Sequence, residues 1–70
     1  MEKRKQYITN EVRSYGETYF GEVEDSMVEK VVNYLYANYN IDVMNDRDLD
    51  SFVDSSVIEN TYDLIERGLI

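Results

Sequence analysis

The sequence contains no cysteine and no histidine. Without cysteine, the fold has no disulfide and no thiolate metal site to support its core. Without histidine, it lacks the commonest metal ligand and the usual general base of enzymes. No stretch approaches the ~20 apolar residues of a transmembrane helix, and no signal-peptide pattern follows Met1. These absences predict a cytoplasmic chain that folds by hydrophobic packing and uses no cofactor.

Length and composition limit residues 1–70 to one small domain. A chain of 70 residues lies near the lower size at which a single hydrophobic core supports a fold. Hydrophobic residues make up 43% of it, including seven tyrosines and two phenylalanines, which is too apolar for disorder throughout. A thin core beside surplus tyrosine indicates that a partner protein, or a second copy in a homodimer, covers part of the surface.

Acidic residues dominate the charge, and the net charge is −8. Through Arg13 there are four basic residues against two acidic ones, whereas the rest of the chain has thirteen acidic residues against three basic ones. A surface of this sign repels nucleic acid and anionic membranes, and it attracts basic protein surfaces. The short basic tract at residues 3–5 is interpreted as a solvated N-terminal tail.

The first twenty residues favour a helix. An apolar stripe recurs at steps of four, three and four residues, formed by Ile8, Val12, Tyr15 and Tyr19. This spacing predicts a helix over residues 2–15, which Gly16 interrupts or ends. Residues 6–20 are also rich in types that suit strands, so a short hairpin is the competing interpretation. Gly21 then opens an acidic connector.

The second predicted helix has the clearest pattern. Asp25 or Ser26 is expected to cap its start, because a side-chain oxygen there accepts an otherwise unpaired backbone amide. Its apolar face consists of Met27, Val28, Val31, Val32, Leu35 and Tyr39. Asn38 and Asn40 suit its end because asparagine tolerates the left-handed conformation. Residues 41–44 alternate apolar and polar, which predicts an extended linker that inserts into the core.

Residues 45–59, NDRDLDSFVDSSVIE, combine an acidic face with an apolar one. The helix is predicted to begin at Asn45 or Asp46 and to end near Ser55. Three aspartates four residues apart form one stripe on this helix, Asp46, Asp50 and Asp54. The apolar residues are placed on the opposite side, towards a core, and are Leu49, Phe52, Val53 and Val57.

A last helix is predicted over residues 57–67. Ser56 and Glu59 have the spacing of a capping box, and Arg67 and Gly68 suit the C-terminal end. The inner face is predicted to consist of Val57, Ile58, Thr61, Leu64 and Ile65. One unbroken helix over residues 46–67 is the alternative.

These elements predict an all-α fold, a small bundle of three or four short helices. The residues expected to be buried at its centre are Val31, Val32, Leu35, Phe52, Val53 and Ile65. Truncation of either Leu35 or Phe52 to alanine is therefore expected to remove substantial stability.

The alternating acids at Asp46, Asp48 and Asp50 are similar to the start of an EF-hand calcium loop. That loop requires glycine at its sixth position and glutamate at its twelfth, where this chain has Ser51 and Val57. Calcium binding is therefore not predicted, and the aspartates are interpreted as helix-start residues that complement the dipole. The chain is also too short to enclose a pair of catalytic carboxylates in a sizeable cleft, so we predict no enzymatic activity.

The acidic rows are the predicted partner-binding surface. The aspartate stripe advances about 6 Å per step, close to the roughly 6–7 Å between successive phosphates of a DNA strand. The predicted contact residues, which include a second row on the last helix, are Asp46, Asp48, Asp50, Asp54, Glu59, Asp63 and Glu66. A third row is formed by Glu22, Asp25 and Glu29. A merely solvated acidic face is the alternative to such mimicry of DNA.

In length, acidity, lack of cysteine and histidine, and its aspartate-rich helix, the chain resembles small acidic phage proteins that inhibit host DNA-handling machinery. Within that class it is similar to inhibitors that occupy the DNA channel of the bacterial sliding clamp. Peptide ligands of the clamp begin with glutamine and end in paired apolar residues, a pattern that Gln6, Tyr7 and Ile8 do not complete. The resemblance therefore implies blockade of the basic channel in the host cytoplasm, with the peptide pocket left unoccupied. The alternative function is a helical adaptor or regulatory subunit that binds its partner through an apolar face.

Overall fold

The computed structural model describes residues 3–70, which form an all-α bundle without strands. Its elements are α1 (Lys3–Phe20), α2 (Asp25–Asn38), the 3-10 turn η1 (Ile41–Val43), α3 (Asp46–Asp54) and α4 (Val57–Glu66). The predicted fold class is thus confirmed, and the alternative of an N-terminal hairpin is wrong. None of the described helices combines the length and the apolar character needed to cross a membrane.

The helix α1 continues through Gly16 and does not end at Tyr15 as predicted. Gly16 is buried where α4 crosses α1, and a Cβ atom added there would lie 2.5 Å from the Tyr62 hydroxyl oxygen. The glycine is therefore a close-packing position inside the helix. The helix ends instead at Gly21, whose φ of +83° is a conformation that favours glycine. The predicted start at Glu2 lies outside the described residues.

The basic tract at residues 3–5 belongs to the first turns of α1, so its interpretation as a solvated tail is wrong. Arg4 is partly buried, and its Nη1 donates a hydrogen bond of 2.7 Å to the carbonyl oxygen of Ile41. This bond joins the start of α1 to η1. Residues 41–43 form a 3-10 turn and only Met44 is extended, so the predicted extended linker is wrong for most of its length. Ile41 inserts into the core as predicted, with 1% of its surface exposed.

The two ends of α2 are not capped in the way that the sequence predicted. Its N-cap residue is Glu24, and no side chain caps the helix there, so the predicted cap by Asp25 or Ser26 is wrong. At the other end the helix does finish at Asn38, but the backbone does not turn left-handed. The side-chain amide of Asn38 instead donates to the Tyr34 carbonyl oxygen at 2.8 Å.

The chain breaks between α3 and α4, so the alternative of one continuous helix is wrong. The helix α3 begins at Asp46, within the predicted start, and Asn45 caps it, because its Oδ1 accepts the backbone amide of Asp48 at 2.8 Å. Ser56 occupies the N-cap position of α4 but makes no side-chain cap bond, so no capping box forms. Gly68, at a φ of +75°, ends α4 as predicted, and the Leu69 amide donates to the Leu64 carbonyl at 2.9 Å.

The core contains one residue that the sequence prediction missed. Tyr62 is fully buried, and its hydroxyl donates to the Val12 carbonyl oxygen at 2.7 Å. Phe52 and Ile65 were predicted to be buried but are only partly so, because they pack at the edge of the core. The buried hydrophobic residues are Ile8, Val12, Val28, Val31, Val32, Leu35, Ile41, Leu49, Val53, Ile58 and Tyr62.

Truncation of Leu35 should destabilise the protein more than truncation of Phe52. Leu35 has no exposed surface, so Leu35→Ala leaves a cavity and is expected to lower the free energy of unfolding by about 2–5 kcal/mol. Phe52 is partly exposed and packs its ring against Tyr39, with ring centroids 5.1 Å apart, so Phe52→Ala should cost less. Urea denaturation of both variants measures the difference, and an equal loss would contradict the burial described here.

Replacement of Gly16 by alanine should lower stability although alanine favours helices. The new methyl group would lie 3.0 Å from the Val23 Cβ and closer still to the Tyr62 hydroxyl. Such overpacking typically costs about 1–3 kcal/mol, against a gain in helix propensity of about 1 kcal/mol. Ser14→Ala is the matched control, since Ser14 is exposed on the same helix. Thermal and urea unfolding should show a loss for Gly16→Ala alone; a gain in both variants would contradict the close contact.

Candidate functional site: an acidic surface with tyrosines

One face of α1 carries a tyrosine or glutamate at every fourth position. These residues are Tyr7, Glu11, Tyr15 and Tyr19. Two of the tyrosine hydroxyls bond to α3, since Tyr7 donates to Asp50 Oδ1 at 2.9 Å and Tyr15 donates to the Val53 carbonyl at 3.0 Å. These two bonds place α3 alongside the tyrosine face of α1.

The aspartate stripe of α3 borders the buried face of that helix. It was predicted to lie on the opposite side from Leu49 and Val53, and this placement is wrong. At about 100° per residue, Asp46 is only about 20° from Val53 around the helix. All three aspartates of the stripe are exposed, yet the stripe lies next to α1 because it adjoins the buried residues. This position is what allows Asp50 to accept the Tyr7 hydrogen bond.

The carboxylates concentrate negative charge around Tyr7. Its pKa is raised to about 12, first by partial burial and then by the hydrogen bond to Asp50 and the negative charge of Asp50. The charges of Glu11 and Asp54 act in the same direction. A carboxylate from α1 and two from α3 therefore act on one tyrosine ring, which shows that the acidic residues of the two helices form one electrostatic surface.

The helix α4 extends this surface. Glu59 lines a shallow depression of about 270 Å³ together with Tyr15, Tyr19 and two small polar residues of α1, Ser14 and Thr18. We name the whole the acidic tyrosine surface, and it consists of Tyr7, Glu11, Tyr15, Tyr19, Asp46, Asp50, Asp54 and Glu59.

Basic residues of the same chain adjoin one end of the acidic tyrosine surface. Lys3 and Arg4 line a depression of about 550 Å³ with Tyr7, Asp46 and Asp50. No basic residue lines the depression around Glu59 at the other end of the surface. The negative potential is therefore less compensated towards Glu59 than towards Asp46.

The remaining predicted contact residues have other surroundings. Asp48 lies about 160° around α3 from Asp46, on a different side of the helix. The carboxylate of Asp63 pairs with Arg67, with Nε and Oδ2 3.1 Å apart. Glu66 is exposed two turns beyond Glu59. The structure thus brings four of the predicted residues next to α1, while Asp48, Asp63 and Glu66 line neither depression that contains tyrosines of α1.

The third predicted acidic row is not a row on one helix. Glu22 precedes α2, in the connection from α1. Asp25 pairs with Arg13, with Nη2 and Oδ1 2.9 Å apart, so part of its charge is compensated by α1. Glu29 is exposed on α2. We therefore leave this row out of the candidate site.

Sequence reasoning missed Tyr7 and Glu11. The signal was present, because the step of four from Tyr7 through Glu11 to Tyr15 runs parallel to the buried stripe of Ile8 and Val12. Only the hydrogen bonds from α1 to α3 reveal that these residues lie near aspartates. Among residues 3–70, no group of three or more acidic side chains is arranged to hold a metal ion.

Comparison with protein-family models, with curated proteins and with solved structures finds no match to this chain.

Stability should fall as the pH rises from about 10 to about 12. Burial raises the pKa of Tyr62 to about 12, against a smaller opposite effect of Arg13, and the pKa of Tyr7 is also about 12, compared with an ordinary 10.0. In that pH range the unfolded chain loses protons that the folded chain keeps, so the stabilisation complete below about pH 10 is lost progressively.

Denaturant unfolding across this pH range, with absorbance titration of the phenols, measures the effect. Tyr7→Phe and Tyr62→Phe should each make the pH dependence of the unfolding free energy less steep. An unchanged slope in both variants would contradict the raised pKa values.

Proposed function

We propose that this chain is an acidic inhibitor that binds the basic, DNA-contacting surface of another protein and blocks the access of DNA. The observation that supports this proposal is the acidic tyrosine surface, in which carboxylates from α1, α3 and α4 surround tyrosine rings. A partner with lysine and arginine side chains complements both components, since the carboxylates attract the cations and the rings provide contact area.

The net charge of the chain is enough to compete with DNA only where individual charged groups are in direct contact. The Cα atoms span 30 × 21 × 21 Å, and 30 Å of duplex DNA carries about 18 phosphate charges. The chain has fifteen acidic residues but a net charge of only −8. Its overall field is therefore weaker than that of DNA, and effective competition requires that individual carboxylates meet individual basic side chains.

The tyrosines offset this lower charge. Tyr19 is 51% exposed at the less compensated end of the surface, and Tyr7 and Tyr15 are partly exposed. An arginine or lysine side chain can pack on such a ring while its charged group pairs with a neighbouring carboxylate. Phosphates lack an equivalent apolar contact, so a protein surface of this kind gains affinity that does not depend on charge alone.

The first partner to test is the bacterial DNA sliding clamp, which the sequence resemblance suggests. Its DNA channel is the surface that a phage inhibitor of this type would occupy in the host cytoplasm. The alternative proposal is a helical adaptor that binds a partner through an apolar face. Ionic strength distinguishes the two, because contacts between exposed charges weaken steeply with salt and apolar contacts do not.

The direct experiment is a competition assay between this protein and fluorescent DNA for the purified clamp. Displacement of DNA that weakens as salt increases supports the proposal. Binding that leaves the DNA in place, or that does not depend on salt, would instead support the adaptor. If the clamp does not bind, the same assay is applied to proteins recovered from bacterial lysate on an affinity column of this chain.

Neutralisation of the α3 stripe should abolish most of the affinity for the basic partner. A single change such as Asp50→Asn should have a small effect, since exposed ion pairs contribute only about 0–1 kcal/mol each. The triple variant with Asp46, Asp50 and Asp54 changed to asparagine should lose about tenfold or more in affinity. Its helix should remain folded, because removal of like charges four residues apart relieves repulsion.

The matched control changes Glu17, Glu22 and Glu24 to glutamine, which removes the same charge at the connection between α1 and α2. Partner affinity and thermal stability are measured for both triple variants. Equal losses would mean that net charge alone determines affinity. Unchanged affinity in a folded α3 variant would exclude the stripe as the contact surface.

A further inference from the structure

A groove without charged residues lies away from the acidic tyrosine surface, between the end of α2, the end of α3 and the start of α4. It has a volume of about 360 Å³. Phe52, Val57 and Leu64 contribute partly buried apolar surface to it, and Tyr39 is 42% exposed at its side. The rings of Tyr39 and Phe52 pack edge to face, which holds that side of the groove in place.

The absence of charge is unusual for this chain, in which 31% of all residues are charged. None of the residues that line the groove is acidic or basic. Along α4 the groove carries Val57, Asn60 and Leu64, at steps of three and four residues. That spacing is the pattern of a helix surface that packs against another helix.

We propose that this groove is where a second copy of the chain docks, through the same residues on both copies. A two-fold interface must be complementary to itself. The polar groups here meet that requirement, because the hydroxyls of Ser56 and Tyr39 and the amide of Asn60 each offer both a donor and an acceptor. A surface with charges of one sign, such as the acidic tyrosine surface, would repel its own copy.

The net charge favours this arrangement over other contacts between copies. Two chains of −8 repel each other, and the repulsion is least where the facing surfaces carry no carboxylate. Asn60 is exposed near the middle of the α4 row, where its amide can meet the amide of its symmetry mate. An asparagine at a helix interface is known to determine register and oligomeric state.

Nine residues line the groove, whereas a standard stable interface uses roughly 20–30 residues per side. The dimer is therefore a weak one, and it forms at high protein concentration. Its dependence on salt has the opposite sign from that of partner binding by the acidic tyrosine surface. Salt screens the repulsion between copies while apolar contacts persist, so association strengthens as salt is added. The opposite salt dependence means that each proposal can be tested independently of the other.

Sedimentation equilibrium tests the inference with the full chain, from about 10 μM to about 1 mM, at ~0.02 M and ~0.5 M NaCl. We expect the wild-type dimer fraction to rise with salt. Asn60→Asp places two carboxylates opposite each other and should weaken association at low salt about fivefold or more. Asn10→Asp is the matched control, since Asn10 is exposed on α1 and no part of α1 lines the groove. Circular dichroism verifies that both variants are folded.

Three results would overturn the inference. The first is a wild-type chain that remains monomeric at the highest concentration and salt. The second is a dimer that Asn60→Asp and Asn10→Asp weaken equally, because the interface would then lie elsewhere. The third is a monomer whose groove instead binds an apolar segment of another protein, identified by chemical-shift changes confined to Tyr39, Phe52 and Leu64.

Discussion

The contact between Tyr62 and Gly16 is the constraint on which the rest of the bundle depends. The largest fully buried side chain of the protein lies where a missing Cβ leaves room for it, and its hydroxyl is satisfied by the Val12 carbonyl. A chain of 70 residues has few side chains with which to build a core, so the burial of one whole ring contributes a large share of the hydrophobic stabilisation. The contact also sets how closely α4 can approach α1.

A second set of contacts, between α1 and α3, determines the surroundings of the acidic residues. Tyr7 and Tyr15 lie on the side of α1 that meets α3, and each of their hydroxyls finds an oxygen acceptor on that helix. Without the Tyr7 hydrogen bond, the Asp50 carboxylate would lie beside the buried face of α3 with only water as a hydrogen-bond donor. The phenol of Tyr7 provides it with a donor, while the neighbouring carboxylates remain exposed. The protein thus tolerates a strong concentration of like charge next to its core, and a surface suited to basic partners results from the same packing.

The two candidate surfaces divide the physical chemistry of recognition between them. The partner contact proposed for the acidic tyrosine surface depends on charge and aromatic contact area, so we expect it to be sensitive to ionic strength. The self-association proposed for the groove beside α4 depends on apolar packing and uncharged hydrogen-bonding groups, and charge affects it only through repulsion between whole molecules. The two proposed interactions therefore use separate residues, and neither would obstruct the other.

The sequence by itself determined the helices and most of their ends. Apolar spacing predicted α2, α3 and α4. The start of α3 at Asn45 and the end of α4 at Gly68 depend only on residues that are neighbours in the sequence. The net charge follows from composition without any structure. Tertiary structure alone decided that Gly16 lies inside a helix, that Tyr62 is buried and that Asp50 bonds to Tyr7. The last two contacts join residues 50 and 43 positions apart. Periodicity shows which residues share a face of a helix, but it does not show which helix packs there, so it grouped the three aspartates of the stripe without revealing their tyrosine neighbours.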